Sequence, residues 1–60
     1  MKSVEQMLKQ CEGLIDTVDA TPFENGFLKG VTDFVKDNGT TRLSEKQLAV
    51  IERIYNKHFA

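Results

Sequence analysis

One cysteine, one histidine and one proline occur in this 60-residue sequence, and each scarcity excludes something. A lone thiol, Cys11, forms no internal disulfide. Cys11 and His58 together fall short of the four ligands that a structural zinc site needs. A chain this short makes a single domain, residues 1–60, and buries only about 60% of its unfolded surface. Its one core then supplies no more than roughly 3–5 kcal/mol of net stability. With disulfides and zinc set aside, oligomerisation is the aid that stays open. No apolar run approaches the ~18 residues of a membrane span, and "MKSVEQMLKQ" lacks the apolar centre of a signal peptide. The expected compartment is the cytoplasm, with Cys11 reduced.

An excess of charge is lacking too. The formal net charge is −1, which argues mildly against a dedicated nucleic-acid binder. The halves differ modestly: residues 1–26 hold two Lys and five acidic residues (−3), and residues 27–60 hold six Lys or Arg and four acidic residues (+2). No stretch alternates with period two, so no sheet is expected, and there is no repeat, linker or low-complexity segment. Hydrophobic residues at 40% and charged residues at 28% suit an ordinary globular domain.

What the chain does have is one local pattern, three times over. "LSEKQL" (Leu43–Leu48) places Ser44 three residues before Gln47, so each side chain can bond the other's backbone N–H. That is a capping box, and Leu43 with Leu48 forms the matching hydrophobic staple. "SVEQ" (Ser3–Gln6) and "TPFE" (Thr21–Glu24) repeat the box, the latter with Pro22 at the first helical position, where its missing N–H costs nothing. Each box precedes an apolar pattern of helical period, which predicts helices over about 4–18, 22–37 and 45–58.

The first helix is expected to bury Val4, Met7, Leu8, Cys11, Leu14, Ile15 and Val18, with Glu5, Lys9, Glu12, Gly13 and Asp16 outward. The second carries Phe23, Phe27, Val31 and Phe34 in a row flanked by Leu28 and Val35, and ends at "DNG" with Gly39 suited to a positive φ. Gly26 and Gly30 beside that row imply tight intramolecular packing, a homodimer seam or a docking groove. The third presents Leu48, Ile51, Ile54, Tyr55 and Phe59 on a wide arc, with Val50 at its margin. Short loops suit antiparallel neighbours. The expected architecture is an all-α three-helix bundle, with a symmetric dimer left open.

Enzyme chemistry finds no foothold: there is no nucleophile set, and "GTTR" (39–42) is no phosphate loop. Acidic pairs such as Asp16 with Asp19 read as solvated helix faces. No cofactor or metal is expected. Cys11 reads as a small buried hydrophobe. His58, in the last turn of the third helix, reads as a cover on the bundle end, with pH sensing or a partner contact as its sharper reading. Lys46, Arg53 and Lys57 form a ridge on the third helix, preceded by Arg42. The ridge is either a solvated face or a track for a phosphate backbone. A helix-turn-helix is disfavoured by the long "DNGTTRLS" connection and by Glu45 at the start of the third helix.

"GTTRLSEKQLAVIERIYNKH" (Gly39–His58) resembles the short "G-x-L-S-x-K-Q" helical segments of bacteriophage and bacterial replication or recombination accessory proteins. The resemblance covers a third of the chain and implies a context, a small phage-encoded protein in a host cytoplasm, without any catalytic residue. Met1 and the cap at Ser3 read as a natural start, whereas the end at Ala60 leaves truncation open.

The leading expectation is a non-enzymatic helical interaction protein that modulates or inhibits a partner protein. Its apolar supply exceeds one small core, and the candidate contact residues are Phe27, Leu28, Val35, Val50, Ile54 and Phe59. The second is a nucleic-acid-binding accessory module using Arg42, Lys46, Arg53 and Lys57.

Overall fold

The computed structural model describes residues 3–60. Met1 and Lys2, and with them the reading of Met1 as a chain start, lie outside the described residues. Three helices begin where the three capping boxes stand: α1 (Val4–Glu12), α2 (Pro22–Asn38) and α3 (Glu45–Phe59). No strand occurs among the described residues, so the all-α three-helix architecture is the one the chain adopts.

Every box is closed in both directions. The Gln6 N–H donates to Ser3 Oγ at 3.2 Å and the Ser3 N–H to Gln6 Oε1 at 3.1 Å. The Glu24 N–H donates to Thr21 Oγ1 at 3.1 Å and the Thr21 N–H to Glu24 Oε1 at 2.9 Å. The Gln47 N–H donates to Ser44 Oγ at 3.2 Å and the Ser44 N–H to Gln47 Oε1 at 2.8 Å. Each reciprocal pair satisfies two donors that the start of a helix otherwise leaves unpaired, and losing such a cap typically costs about 1 kcal/mol. Pro22 takes the first turn of α2. Gly39 ends that helix at φ 79°, its N–H donating to the Val35 carbonyl at 2.8 Å. A single tighter turn, Thr40–Arg42, then leads into α3.

The first helix stops well short of the expected Val18. Past Glu12 the chain tightens into turns with three-residue spacing: the Leu14 N–H reaches the Cys11 carbonyl at 2.9 Å and the Ile15 N–H the Glu12 carbonyl at 3.2 Å. Asp16 then takes a positive φ of 62°, which an α-helix cannot accommodate. Gly13, Ile15, Thr17 and Val18 are weak helix formers in sequence, and the Asp16 turn is held from outside. The Asp16 N–H donates to Asn25 Oδ1 at 2.7 Å, the Asn25 amide donates to Asp16 Oδ1 at 3.3 Å, and Lys29 Nζ lies 2.9 Å from the same carboxylate oxygen. Asp16 is therefore a loop clamp rather than the solvated helix-face residue expected. The stripe keeps its meaning only to Ile15: Leu14 is buried and Ile15 packs on the core, while Val18 is wholly exposed. The α1–α2 connection is correspondingly longer than expected.

Leu8, Cys11, Leu14, Leu28, Val31, Leu43, Ile51 and Ile54 make one core. Each large aliphatic residue closed off in this way contributes about 1.5–3 kcal/mol of transfer free energy. α1 packs against both longer helices, while α2 and α3 approach each other little along their backbones. The α1 apolar face, with Leu8 and Cys11, is thus the common surface on which the other two helices rest. Gly26 and Gly30 do not serve intramolecular packing: both are exposed, and a Cβ added at either would meet nothing within 4 Å.

Candidate functional site

The N-terminus of α2 and the C-terminus of α3 meet at Glu24. Its place as third residue of α2 is set by the capping box, and its side chain is only 7% exposed. Oε1 accepts from the Thr21 N–H at 2.9 Å and lies 3.3 Å from His58 Nε2, while Oε2 accepts from Lys57 Nζ at 3.2 Å. A carboxylate belongs at a helix N-terminus and basic groups belong at a helix C-terminus, so one cluster complements two helix ends. The Thr21 N–H hydrogen bond, more than the bonds from Lys57 and His58, holds the Glu24 carboxyl down at about 2 against the pull of burial. His58 covers the bundle end as expected, and its ring is largely enclosed. Lys57 keeps about half its side chain exposed while its charge is committed to Glu24.

Two aromatic pairs flank this cluster. Phe23, next to Glu24, stacks on Phe27 with ring centroids 6.1 Å apart. Phe59, next to His58, lies 5.6 Å from Tyr55 and 6.4 Å from the His58 ring. Phe23 remains 63% exposed and Phe59 43%. The chemistry of this end is apolar and aromatic around a neutralised ionic centre, which suits docking.

The expected contact residues divide. Phe59 is exposed, and Phe27, Val35 and Val50 are half-buried against the core. Leu28 and Ile54 are corrections: at 0% and 2% exposure they form the centre of the core and have no surface to offer a partner. Helical periodicity shows which face is apolar without showing which residue sits at its middle, and these two do. Phe23, absent from the expected contacts, is the most exposed aromatic ring. The signal for it was its place directly after Pro22, where a side chain lies at the rim of the bundle.

Arg42, Lys46 and Arg53 are exposed, as a solvated or phosphate-following ridge requires, but Lys57 is turned into the Glu24 cluster. Cys11 is fully buried, and burial, reinforced by the nearby Glu24 charge, pushes its thiol up to about 11. Among the described residues no three His, Cys, Asp or Glu side chains gather as a metal site needs, and no helix is long and apolar enough to cross a membrane. Compared with known proteins, the chain matches no family model, no curated protein and no solved structure.

Proposed function

We propose that this chain is a non-enzymatic interaction protein of the cytoplasm that modulates or inhibits a partner protein by occupying part of its surface. The observation that supports this reading is the pair of exposed aromatic rings, Phe23 and Phe59, set on either side of a neutralised ion cluster at one end of the molecule. Exposed aromatic side chains on a rigid support are the residues that dominate binding at protein interfaces. Glu24 supplies the support, since it fixes the last turn of α3, and hence Phe59, against the first turn of α2, and hence Phe23. A phage-encoded context rests only on the likeness of residues 39–58 to replication and recombination accessory proteins. The test is affinity capture from host lysate with the wild type and with a Phe23→Ser/Phe59→Ser variant. Loss of specific captured proteins in a variant of unchanged helicity supports the reading, and identical capture refutes it.

A second reading, a nucleic-acid accessory module, is favoured by the exposure of Arg42, Lys46 and Arg53. It requires affinity that falls steeply with salt. Titration of labelled single- and double-stranded DNA against a Lys46→Glu/Arg53→Glu variant tests it, and absence of binding at low salt refutes it.

A further inference from the structure

Asparagine followed by glycine is labile toward spontaneous loss of ammonia, and the chain holds this pair twice, at Asn25–Gly26 and Asn38–Gly39. The chemistry is intramolecular. The backbone nitrogen of the glycine attacks the side-chain carbonyl carbon of the asparagine, a five-membered imide closes, and ammonia leaves. Water then opens the imide at either carbonyl, giving aspartate or the isomer in which the main chain runs through the side chain. Glycine favours the attack because no Cβ crowds its nitrogen or restricts its backbone. Helical ψ angles hold that nitrogen away from the side-chain carbon, so an asparagine in a helix reacts only after leaving helical geometry. The two pairs differ in what that departure would break.

Asn25 is tied on every side. Its N–H donates to the Thr21 carbonyl at 2.9 Å, its Oδ1 accepts from the Asp16 N–H at 2.7 Å, and its Nδ2 donates to Asp16 Oδ1 at 3.3 Å. The turn it belongs to is pinned further by the Thr21–Glu24 capping box and by the bonds from Glu24 to Lys57 and His58. Asn38 is the last residue of α2 and is exposed. Its Nδ2 donates to the Phe34 carbonyl at 3.1 Å and the Gly39 N–H to the Val35 carbonyl at 2.8 Å. Both bonds belong to the final turn, where a helix opens at least cost. Gly39 has already left the helix at φ 79°, and the space beside its Cα is empty.

We propose that Asn38 is a site of spontaneous deamidation in the native protein, and that the Asp16 clamp protects Asn25, the other member of the same dipeptide class. The product sets a carboxylate at the C-terminus of α2, where the helix dipole disfavours negative charge, and next to Asp37. It also removes the donor that holds the Phe34 carbonyl. The modified chain therefore has a weakened last turn on α2, just ahead of the Thr40–Arg42 turn and the buried Leu43. The site is independent of the docking surface at Phe23 and Phe59.

The test is incubation of the purified wild type in mildly alkaline buffer, with and without concentrated guanidinium, followed by peptide mapping over time. Trypsin separates the two sites, because Lys29 and Lys36 lie between them. In the native chain Asn38 is expected to convert at least about tenfold faster than Asn25, as local opening costs less at a free helix end than in a pinned turn. In guanidinium the two rates are expected to converge, since glycine follows both asparagines. Comparable native rates, an Asn38 that is inert in the native chain, or a gap that persists in guanidinium overturns the proposal. Asp16→Ala, checked for native helicity by circular dichroism, is expected to speed conversion of Asn25 and leave Asn38 unchanged; an unmoved Asn25 rate overturns the protective role of the clamp. Asn38→Asp reproduces the aspartate product and is expected to melt below the wild type, and an equal midpoint overturns the weakening of α2.

Discussion

Glu24→Gln removes one charge while keeping the side chain's shape and its acceptor for the Thr21 N–H. In the folded chain the Glu24 carboxyl lies at about 2 against an ordinary 4.5. At roughly 1.4 kcal/mol per pKa unit that difference caps its contribution at about 3 kcal/mol. The molecule is only 17 Å through its thinnest dimension, so even a covered carboxylate lies close to water, and screening brings the expected figure to about 1–2 kcal/mol. The sign follows from proton binding. Between 4.5 and about 2 the unfolded chain holds the Glu24 proton and the folded chain does not, so stability rises with pH across that window. The contribution is complete above 4.5 and lost as pH falls through about 2. Thermal unfolding followed by circular dichroism at pH 7 and pH 3 measures it. A 1–2 kcal/mol loss corresponds to roughly 4–16 °C at pH 7 for a domain of this size. Glu24→Gln is expected to show that loss at pH 7 and to converge toward the wild type at pH 3. Equal stabilities at pH 7, or an undiminished acid slope in the variant, would refute the account of Glu24 as the charge that joins two helix ends.

Three further outcomes are expected. Gly26→Ala should raise the urea midpoint by the equivalent of about 0.5–1 kcal/mol, because the site is an exposed helix interior with open space around it; an unchanged or lowered midpoint would contradict that geometry. Asp16→Ala should melt at a lower temperature than Asp16→Asn, since asparagine tolerates the positive φ and retains an acceptor for Lys29; the reverse order would show that the loop clamp is unimportant. Cys11 should react with a thiol reagent at pH 8 slowly in the native chain and rapidly in denaturant, its thiol being buried and held at about 11; fast native labelling would exclude it from the core.

The helix starts were legible because a capping box is a contract between residues three apart, and nothing distant can easily revoke it. Ser3, Thr21 and Ser44 show this directly. The end of the first helix was not, because it depends on Asn25 and Lys29 holding Asp16 across nine and thirteen residues of sequence. Glu24 was read correctly as a capping residue and His58 as a cover on the bundle end, whereas Lys57 was read as part of the basic ridge and is instead turned to Glu24. That all three belong to one cluster requires knowing that α2 starts where α3 finishes. The exposure of Phe23 and the enclosure of Leu28 differ for a similar reason: both lie on the apolar arc, and only the position of α1 decides which is covered. Gly26 and Gly30 were legible as notches, but not the side on which they open.

The nine-residue length of α1 has a consequence for how the molecule opens. Isolated helices shorter than about 12–15 residues are marginal in water, so α1 holds its shape only while it rests on its two longer neighbours. They in turn approach each other little along their backbones, apart from the Glu24 link between their ends. α1 therefore acts as a keystone, and lifting it away uncovers the core side chains Leu28, Val31, Ile51 and Ile54 that share its apolar face. Any macromolecule that captured Leu8 and Cys11 in place of α2 and α3 would dismantle the whole domain.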